Sequence, residues 1–196
     1  MTSTPKSSSG GSGGGSGVGV RVVIFLDMDG VMQPFGNDAP QEAVKKTDCL
    51  FPDCTLQALS YILEQVPTAE LVLSSTWRVQ HSYIEEIEQN FHAYGRKRHN
   101  TNNHPLWNLR FADITNPQLH SERQYEIQDW LEQQQQQSTT RSLVWIAIDD
   151  EDLIEGAPNA RYRHWFQHHV VKTQSHVGLT ASDAQLAVRL LKAQLD

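Results

Sequence analysis

The stretch VVIFLDMDGV, residues 22–31, decides the fold. Five apolar residues, mostly β-branched or aromatic, lead directly into Asp27, and Gly30 follows three positions later. A continuous apolar run of this kind is typical of a central parallel strand, which is buried on both faces. Gly30 favours a sharp turn just after the strand, because glycine adopts turn conformations without steric cost. The stretch therefore predicts a buried strand that ends in two carboxylates, those of Asp27 and Asp29.

Three other apolar runs follow along the chain, at residues 71–73, 143–148 and, more weakly, 170–171. Between the runs, apolar residues recur every three or four positions, which is the pattern of a helix with one buried face. These helical patterns begin near Leu56, Ile84, Ile127 and Leu186. Strands that alternate with helices favour an α/β fold with a doubly wound parallel sheet and helices on both faces.

Two of these predicted helices have a capping residue near their start. Asp53 precedes the pattern that begins at Leu56, and Thr180 precedes the one at Leu186. Side chains of Asp and Thr accept hydrogen bonds from the free N–H groups of a first helical turn. We therefore expect Asp53 and Thr180 to be N-caps.

Composition divides the 196-residue chain into a leader and one domain. Residues 1–19 are almost all Ser, Gly and Thr, so we expect a disordered leader or linker there and a folded domain over residues 20–196. No apolar run reaches the length of about 20 residues that spans a bilayer, and no secretion signal is evident, so we expect a cytoplasmic protein without a membrane partner. The net charge of −7 argues against a non-specific nucleic-acid coat but allows a local basic groove.

The first strand end predicts a cation site. Asp27 and Asp29 are two positions apart, so both carboxylates can leave the strand on the same side. Crowded carboxylates repel each other unless a cation lies between them, and Mg²⁺ typically binds one or two carboxylates together with a substrate phosphate. An acidic turn without a function is the alternative for this motif taken alone.

The ends of two further runs carry polar groups that suit a phosphate. Residues 74–78, Ser-Ser-Thr-Trp-Arg, offer hydroxyls and a guanidinium, although a plain helix-capping cluster would look the same. The run 143–148 ends in the acidic pair Asp149 and Asp150. Because ligands bind at the carboxyl ends of parallel strands, we expect all of these groups to meet at one edge of the sheet.

The motifs together resemble those of the haloacid dehalogenase (HAD) superfamily. Residues 26–31, LDMDGV, are similar to its first motif; Ser74 matches the second motif, and Asp149–Asp150 the acidic pair of the fourth. The run 74–78 resembles more narrowly the HAD domain of RNA-repair proteins, which is related to the polynucleotide kinase/phosphatases. The resemblance covers most of the chain from Val20 and implies a HAD-like Rossmannoid fold with phosphatase activity.

This resemblance also implies roles for individual residues. Asp27 would be the nucleophile that forms an aspartyl-phosphate, and Asp29 would be the general acid and then the general base. Ser74 would bind a phosphoryl oxygen. The metal ligands would be Asp27, the Asp29 backbone carbonyl, and Asp149 or Asp150, with Mg²⁺ as the cofactor. Further substrate-binding residues would be Gly30, Ser75, Arg78 and Arg110.

One motif departs from the family pattern. The third HAD motif usually supplies a Lys or Arg before the acidic pair, and no Lys lies between Lys97 and Asp149. Arg123, at the start of the helix that contains Ile127, is our candidate for this cation, and Arg110 is the second candidate. An ordinary surface arginine near a helix start is the alternative interpretation of Arg123.

The substrate is the least determined part of the prediction. Residues 32–53 are too short for a full cap domain, so we expect a flap, a minimal cap and an open site that admits polymer ends. Basic and aromatic residues alternate at 96–99 and 161–165, which suits a nucleic acid, although such side chains also lie along ordinary helix faces. A phosphorylated RNA or DNA end, at its 3′ terminus, leads as substrate. A nucleotide or sugar phosphate, a phosphoprotein, and a non-catalytic module that binds phosphorylated partners are the alternatives, and the oligomeric state is left open.

Overall fold

The computed structural model of the chain describes residues 19–36, 50–98, 103–119, 122–137, 142–155 and 160–196. Three predictions fall partly or wholly outside the described residues. These are the disordered leader apart from Gly19, the flap over residues 37–49, and parts of the two basic stretches, namely His99 and the side chains of residues 161 and 162.

Five parallel strands form a single sheet. They are β1 (Val20–Leu26), β2 (Ala69–Leu73), β3 (Phe111–Ile114), β4 (Ser142–Asp149) and β5 (Val170–Lys172). The strand order is β3-β2-β1-β4-β5, so β1 lies in the middle between β2 and β4. The strand that carries Asp27 at its end is therefore the central strand, as its apolar run predicted.

The strands are connected by helices that pack on both faces of the sheet. They are α1 (Asp53–Gln65), α2 (His81–Arg98), α3 (Arg123–Gln137), α4 (Ala160–Phe166) and α5 (Ala181–Leu195), with a 3₁₀ turn over Thr76–Val79. None of the described helices is long and apolar enough to span a membrane.

The side chains of β1 alternate between two hydrophobic cores. Ile24 and Leu26 join a core with the apolar faces of α1, α2 and α5. Val23 and Phe25 point to the other face, where they pack with residues of α3. This alternation follows from the two-residue period of a strand. The predicted doubly wound α/β fold with helices on both faces is confirmed.

The first helix start differs from the prediction. Thr180 caps α5 as expected: its side chain accepts a hydrogen bond from the Asp183 N–H, and Asp183 completes a capping box. Asp53 is not a cap, because Pro52 occupies the N-cap position of α1 and Asp53 is already the first helical residue. Its carboxylate instead accepts a hydrogen bond from Arg98 at 2.6 Å.

Candidate active site

The carboxyl edge of the sheet is held by a row of main-chain hydrogen bonds, which we call the edge row. In each case the residue that follows a strand donates its N–H to a carbonyl of the neighbouring strand. The donors and acceptors are Asp27 to Ile148 (3.1 Å), Ser74 to Leu26 (3.1 Å), Thr115 to Leu73 (3.0 Å) and Thr173 to Asp149 (2.9 Å). The edge row spans all five strands, so the backbone fixes the places of Asp27, Ser74 and Asp149 relative to one another.

A tight turn follows Asp27 and brings the loop of β1 against the end of β4. Gly30 adopts a φ of +71°, and a Cβ atom there would lie 2.5 Å from the carboxylate of Asp150. Only glycine satisfies both conditions. The Gly30 carbonyl also accepts a hydrogen bond from the Thr173 hydroxyl at 2.8 Å, which joins the turn to the residue after β5.

Three carboxylates meet beside this turn. Asp27, Asp149 and Asp150 each offer an oxygen atom within 4.8 Å of the others. Asp27 and Asp149 are buried, and one oxygen of Asp149, Oδ2, is buried without a hydrogen-bond partner among the described residues. A cluster of carboxylate oxygens with an unsatisfied acceptor fits a hard divalent cation such as Mg²⁺. The Asp29 carboxylate is not part of this cluster. The ligand predicted from Asp29 is its backbone carbonyl and not its side chain.

Arg123 lies among these carboxylates. Its guanidinium is 3.0 Å from Asp149 Oδ2, 3.3 Å from Asp27 Oδ1 and 3.4 Å from Glu126 Oε2. The side chain is only 8 % exposed, because α3 packs into the core through Ile127 and carries Arg123 inward on its first turn. The contact with Asp149 is an ion pair whose N–H does not align as a hydrogen bond. The structure thus places the Arg123 guanidinium in contact with Asp27 and Asp149.

Among the described residues, Arg78 is bound to protein groups other than the three carboxylates. Its guanidinium is buried, forms an ion pair with Glu126 at 2.6 Å, and donates hydrogen bonds to the carbonyls of Ser74, Ser75 and Leu119. These partners engage both terminal nitrogens of the guanidinium, whereas its Nε is buried without a hydrogen-bond partner among the described residues. Arg78 therefore ties the turn after β2 to α3 through Glu126, which also contacts Arg123.

Arg110 is also placed elsewhere. Its side chain is 66 % exposed and forms an ion pair with Glu88 on α2, which in turn accepts a hydrogen bond from the backbone N–H of Phe111. Among the described residues, no contact joins Arg110 to the three carboxylates. The structure therefore does not bring Arg110 together with the other predicted site residues, and its position at the start of β3 explains this.

Two contacts in the site were not predicted from the sequence. The indole N–H of Trp77 donates to Asp29 Oδ2 at 2.9 Å, and Glu126 joins Arg78 to Arg123. Glu126 carried a weak signal, since it lies three positions after Arg123 and thus on the same side of a helix. Trp77 is 48 residues from Asp29, and only the pairing of β1 with β2 brings the two side chains together.

Burial makes the carboxylates reluctant to ionise. It raises the pKa of Asp27 to about 6, although Arg123 and hydrogen bonds from the Met28 backbone and the Ser75 side chain oppose the change. Burial and the neighbouring Asp27 raise the pKa of Asp149 to about 8, with Arg123 again opposing. Burial also raises the pKa of Asp150. Arg123 alone therefore does not offset the free-energy cost of ionising all three carboxylates. A bound divalent cation would offset this cost.

Arg123 itself stays charged. Burial by itself lowers the pKa of its guanidinium, but the carboxylates of Asp149, Asp27 and Glu126 together raise that pKa above its ordinary value. An arginine in this setting is a permanent positive charge. It can stabilise an anion that binds next to Asp27.

Comparison with known proteins yields one family. The family model described as "HAD domain in Swiss Army Knife RNA repair proteins" matches residues 23–184. The matched range runs from β1 into α5 and includes every residue of the site described above. No curated protein and no solved structure shows a significant match to the chain.

Proposed function

Since the chain belongs to the family of HAD domains found in RNA repair proteins, we propose that it is a Mg²⁺-dependent phosphomonoester hydrolase that forms an aspartyl-phosphate on Asp27. Membership of the family indicates phosphatase-type activity. The observation that carries the finer proposal is the setting of Asp27. Its buried carboxylate lies at the end of the central strand, in contact with Arg123 and grouped with Asp149 and Asp150.

In the first half-reaction, a carboxylate oxygen of Asp27 attacks the phosphorus atom of the substrate. The bond from phosphorus to the leaving oxygen breaks, and Asp29 donates its proton to that oxygen. Arg123 stabilises the charge on the phosphoryl oxygens, and Ser74 supplies a hydroxyl to one of them. The products are the free alcohol and an acyl phosphate on Asp27.

In the second half-reaction, Asp29 is ionised and acts as a base. It removes a proton from a water molecule, whose oxygen attacks the phosphorus atom of the aspartyl-phosphate. The bond between phosphorus and the Asp27 oxygen breaks and inorganic phosphate leaves. Both carboxyl groups return to their starting protonation states.

The residues that would hold Mg²⁺ are Asp27, Asp149, Asp150 and the backbone carbonyl of Asp29. When bound, the ion supplies charge neutralisation that lets the anionic carboxylate approach an anionic phosphoryl group. The cluster of oxygen donors supports this assignment, as does Oδ2 of Asp149, which is ion-paired with Arg123 but accepts no hydrogen bond among the described residues.

For the substrate, the proposal is a 3′-phosphorylated end of a nucleic-acid strand. The family description, which places this kind of domain in RNA repair proteins, supports that choice over small metabolites. A terminal phosphomonoester is the kind of phosphate group in a strand that the mechanism above can remove, because its phosphorus is esterified to a single alcohol, which leaves as the phosphoryl group passes to Asp27.

The reaction class is tested by release of inorganic phosphate from p-nitrophenyl phosphate, with Mg²⁺ and with EDTA, in wild type and Asp27→Asn. We expect turnover that needs Mg²⁺ and that the substitution abolishes, since Asn has nearly the same volume but cannot attack phosphorus. Unchanged turnover in Asp27→Asn would rule out the aspartyl-phosphate mechanism.

The substrate is tested with one RNA and one DNA oligonucleotide, each carrying a phosphate at the 3′ end, at the 5′ end or at neither. We expect kcat/KM to be at least about tenfold higher for the 3′-phosphorylated strands than for the 5′-phosphorylated ones, a difference of about 1.4 kcal/mol in transition-state binding. Mononucleotides and sugar phosphates complete the panel. If these are hydrolysed faster than the strands, the enzyme is a small-molecule phosphatase.

A further inference from the structure

The side chain of Asp29 is held by a residue from a different part of the chain. Trp77 Nε1 donates to Asp29 Oδ2 at 2.9 Å, and among the described residues no other hydrogen bond reaches that carboxylate. Asp29 is half-buried. A single directed donor thus fixes which of the two carboxylate oxygens faces the indole.

Trp77 is itself firmly placed. It lies in the 3₁₀ turn that follows β2, where the Ser75 hydroxyl accepts a hydrogen bond from the Trp77 backbone N–H. The next residue, Arg78, is locked by its ion pair with Glu126. The indole ring packs against the ring of Tyr83, with a distance of 5.8 Å between the ring centroids. Contacts of Ser75 and Arg78 thus hold the turn on either side of Trp77, and the indole extends from this fixed backbone towards Asp29.

We propose that Trp77 is the positioning residue for proton transfer by Asp29. This inference rests on the proposed function, in which Asp29 protonates the leaving oxygen. Oδ2 accepts the indole hydrogen, and among the described residues no hydrogen bond reaches Oδ1, so Oδ1 is the oxygen through which Asp29 exchanges a proton with the substrate. The indole thereby presents one defined oxygen of Asp29 to the leaving group and to the water that follows.

The consequence is a dependence on the leaving group. An alkoxide leaving oxygen needs a proton as its bond to phosphorus breaks, whereas p-nitrophenolate leaves as a stable anion. A carboxyl group that has lost its orientation therefore slows transfer from an alkyl phosphate much more than transfer from an aryl phosphate. A substitution that merely loosened the fold would slow both substrates alike.

The experiment compares kcat/KM for benzyl phosphate and p-nitrophenyl phosphate in wild type and Trp77→Phe, which keeps an aromatic ring but lacks the N–H donor. The ratio kcat/KM is used because it reports the half-reaction in which the leaving group departs. We expect a loss of about tenfold or more for benzyl phosphate and of less than about threefold for p-nitrophenyl phosphate. Asp29→Asn should show the same selectivity with a larger loss.

Tyr83→Leu is the matched control. It removes the aromatic neighbour of Trp77 but leaves the indole N–H, so we expect the ratio of the two kcat/KM values to stay at its wild-type level. Equal losses for both substrates in Trp77→Phe would overturn the proposal. So would a change of the ratio in Tyr83→Leu that matches the change in Trp77→Phe, because packing of the ring would then explain the effect.

A second measurement leaves Trp77 unchanged and does not depend on turnover. The chain has five tryptophans, so a ¹⁵N-labelled sample gives five indole N–H resonances. We expect one of them to shift upfield and to exchange faster with solvent in Asp29→Ala, which removes the acceptor. If no indole resonance responds, the hydrogen bond is absent and the proposal fails. If the resonance responds but wild type hydrolyses neither ester, it is the proposed hydrolase function that fails.

Discussion

At the scale of single residues, Arg123 is the cation that connects the buried carboxylates of the site. One guanidinium contacts Asp27, Asp149 and Glu126, and all four side chains are buried. Removing a partner from a buried ionic cluster leaves uncompensated charge, which costs far more than the loss of a surface pair.

We expect Arg123→Met to lower the free energy of unfolding by about 3–5 kcal/mol and to lower phosphate release by about 100-fold or more. Urea unfolding and the p-nitrophenyl phosphate assay measure the two effects. Arg163→Gln is the matched control, because Arg163 forms an exposed pair with Glu155, and its loss should cost less than about 1 kcal/mol. Wild-type stability in Arg123→Met would contradict the assignment of Arg123 to the buried cluster.

Gly30 gives a second test at this scale. We expect Gly30→Ala to destabilise the protein by about 1–2 kcal/mol through its left-handed backbone and to weaken Mg²⁺ binding, because the new methyl group would displace the carboxylate of Asp150. Gly36→Ala is the control: its φ is +108°, but among the described residues the atom nearest to an added Cβ, the Cβ atom of His176, lies 4.0 Å away. The control should lose stability and keep its Mg²⁺ affinity. Equal Mg²⁺ affinities in the two variants would refute the clash with Asp150.

At the scale of helices and strands, predictability followed the strength of the apolar pattern. The stripe of Ile127 and its neighbours located α3, and with it Arg123 on the first turn. The strand β3 was missed because it is a four-residue edge strand, half-exposed and interrupted by Asp113, and so has no apolar run. The sequence could not show that Arg78 and Arg110 form ion pairs within the protein. Their partners, Glu126 and Glu88, are distant along the chain and close only in the folded structure.

The two helix starts lend themselves to a direct comparison. We expect Thr180→Ala to lower the free energy of unfolding by about 1 kcal/mol, since it removes the side-chain partner of the Asp183 N–H at the start of α5. Asp53→Ala should cost less, about 0.5 kcal/mol, because Asp53 has an exposed ion pair and no capping hydrogen bond. Chemical denaturation of both variants measures the two free energies of unfolding. A larger decrease in Asp53→Ala than in Thr180→Ala would contradict our assignment of Thr180 as a cap and of Asp53 as a residue without a capping role.

At the scale of the whole molecule, the carboxylates make stability depend on pH. The folded chain without metal binds protons at Asp27 and Asp149 more tightly than the unfolded chain, since burial raises both pKa values, to about 6 and about 8. Their contribution is thus most favourable below the unfolded value near 3.8 and is lost as pH rises towards 8. The loss ends near pH 6 for Asp27 and continues to about pH 8 for Asp149.

We therefore expect the stabilisation by Mg²⁺ to grow as pH rises from about 5.5 to about 8, because the ion binds the ionised carboxylates and must displace their protons. Thermal unfolding at several pH values, with EDTA and with saturating Mg²⁺, measures this gain. In Asp149→Asn the dependence of the gain on pH should flatten. A gain that is constant with pH in wild type would show that neither carboxylate releases a proton to the metal.

The edge row consists of main-chain hydrogen bonds, whereas the proposed chemistry belongs to side chains. Main-chain N–H groups hold Asp27, Ser74 and the end of β4 in place, so Asp27→Asn leaves these backbone hydrogen bonds intact. Asp27→Asn should therefore still bind a phosphorylated strand and yet be unable to cleave it. On the proposed function, such a variant immobilised on a resin would retain phosphorylated strands from a mixture of cellular oligonucleotides, and sequencing the retained strands would show which phosphorylated ends it binds.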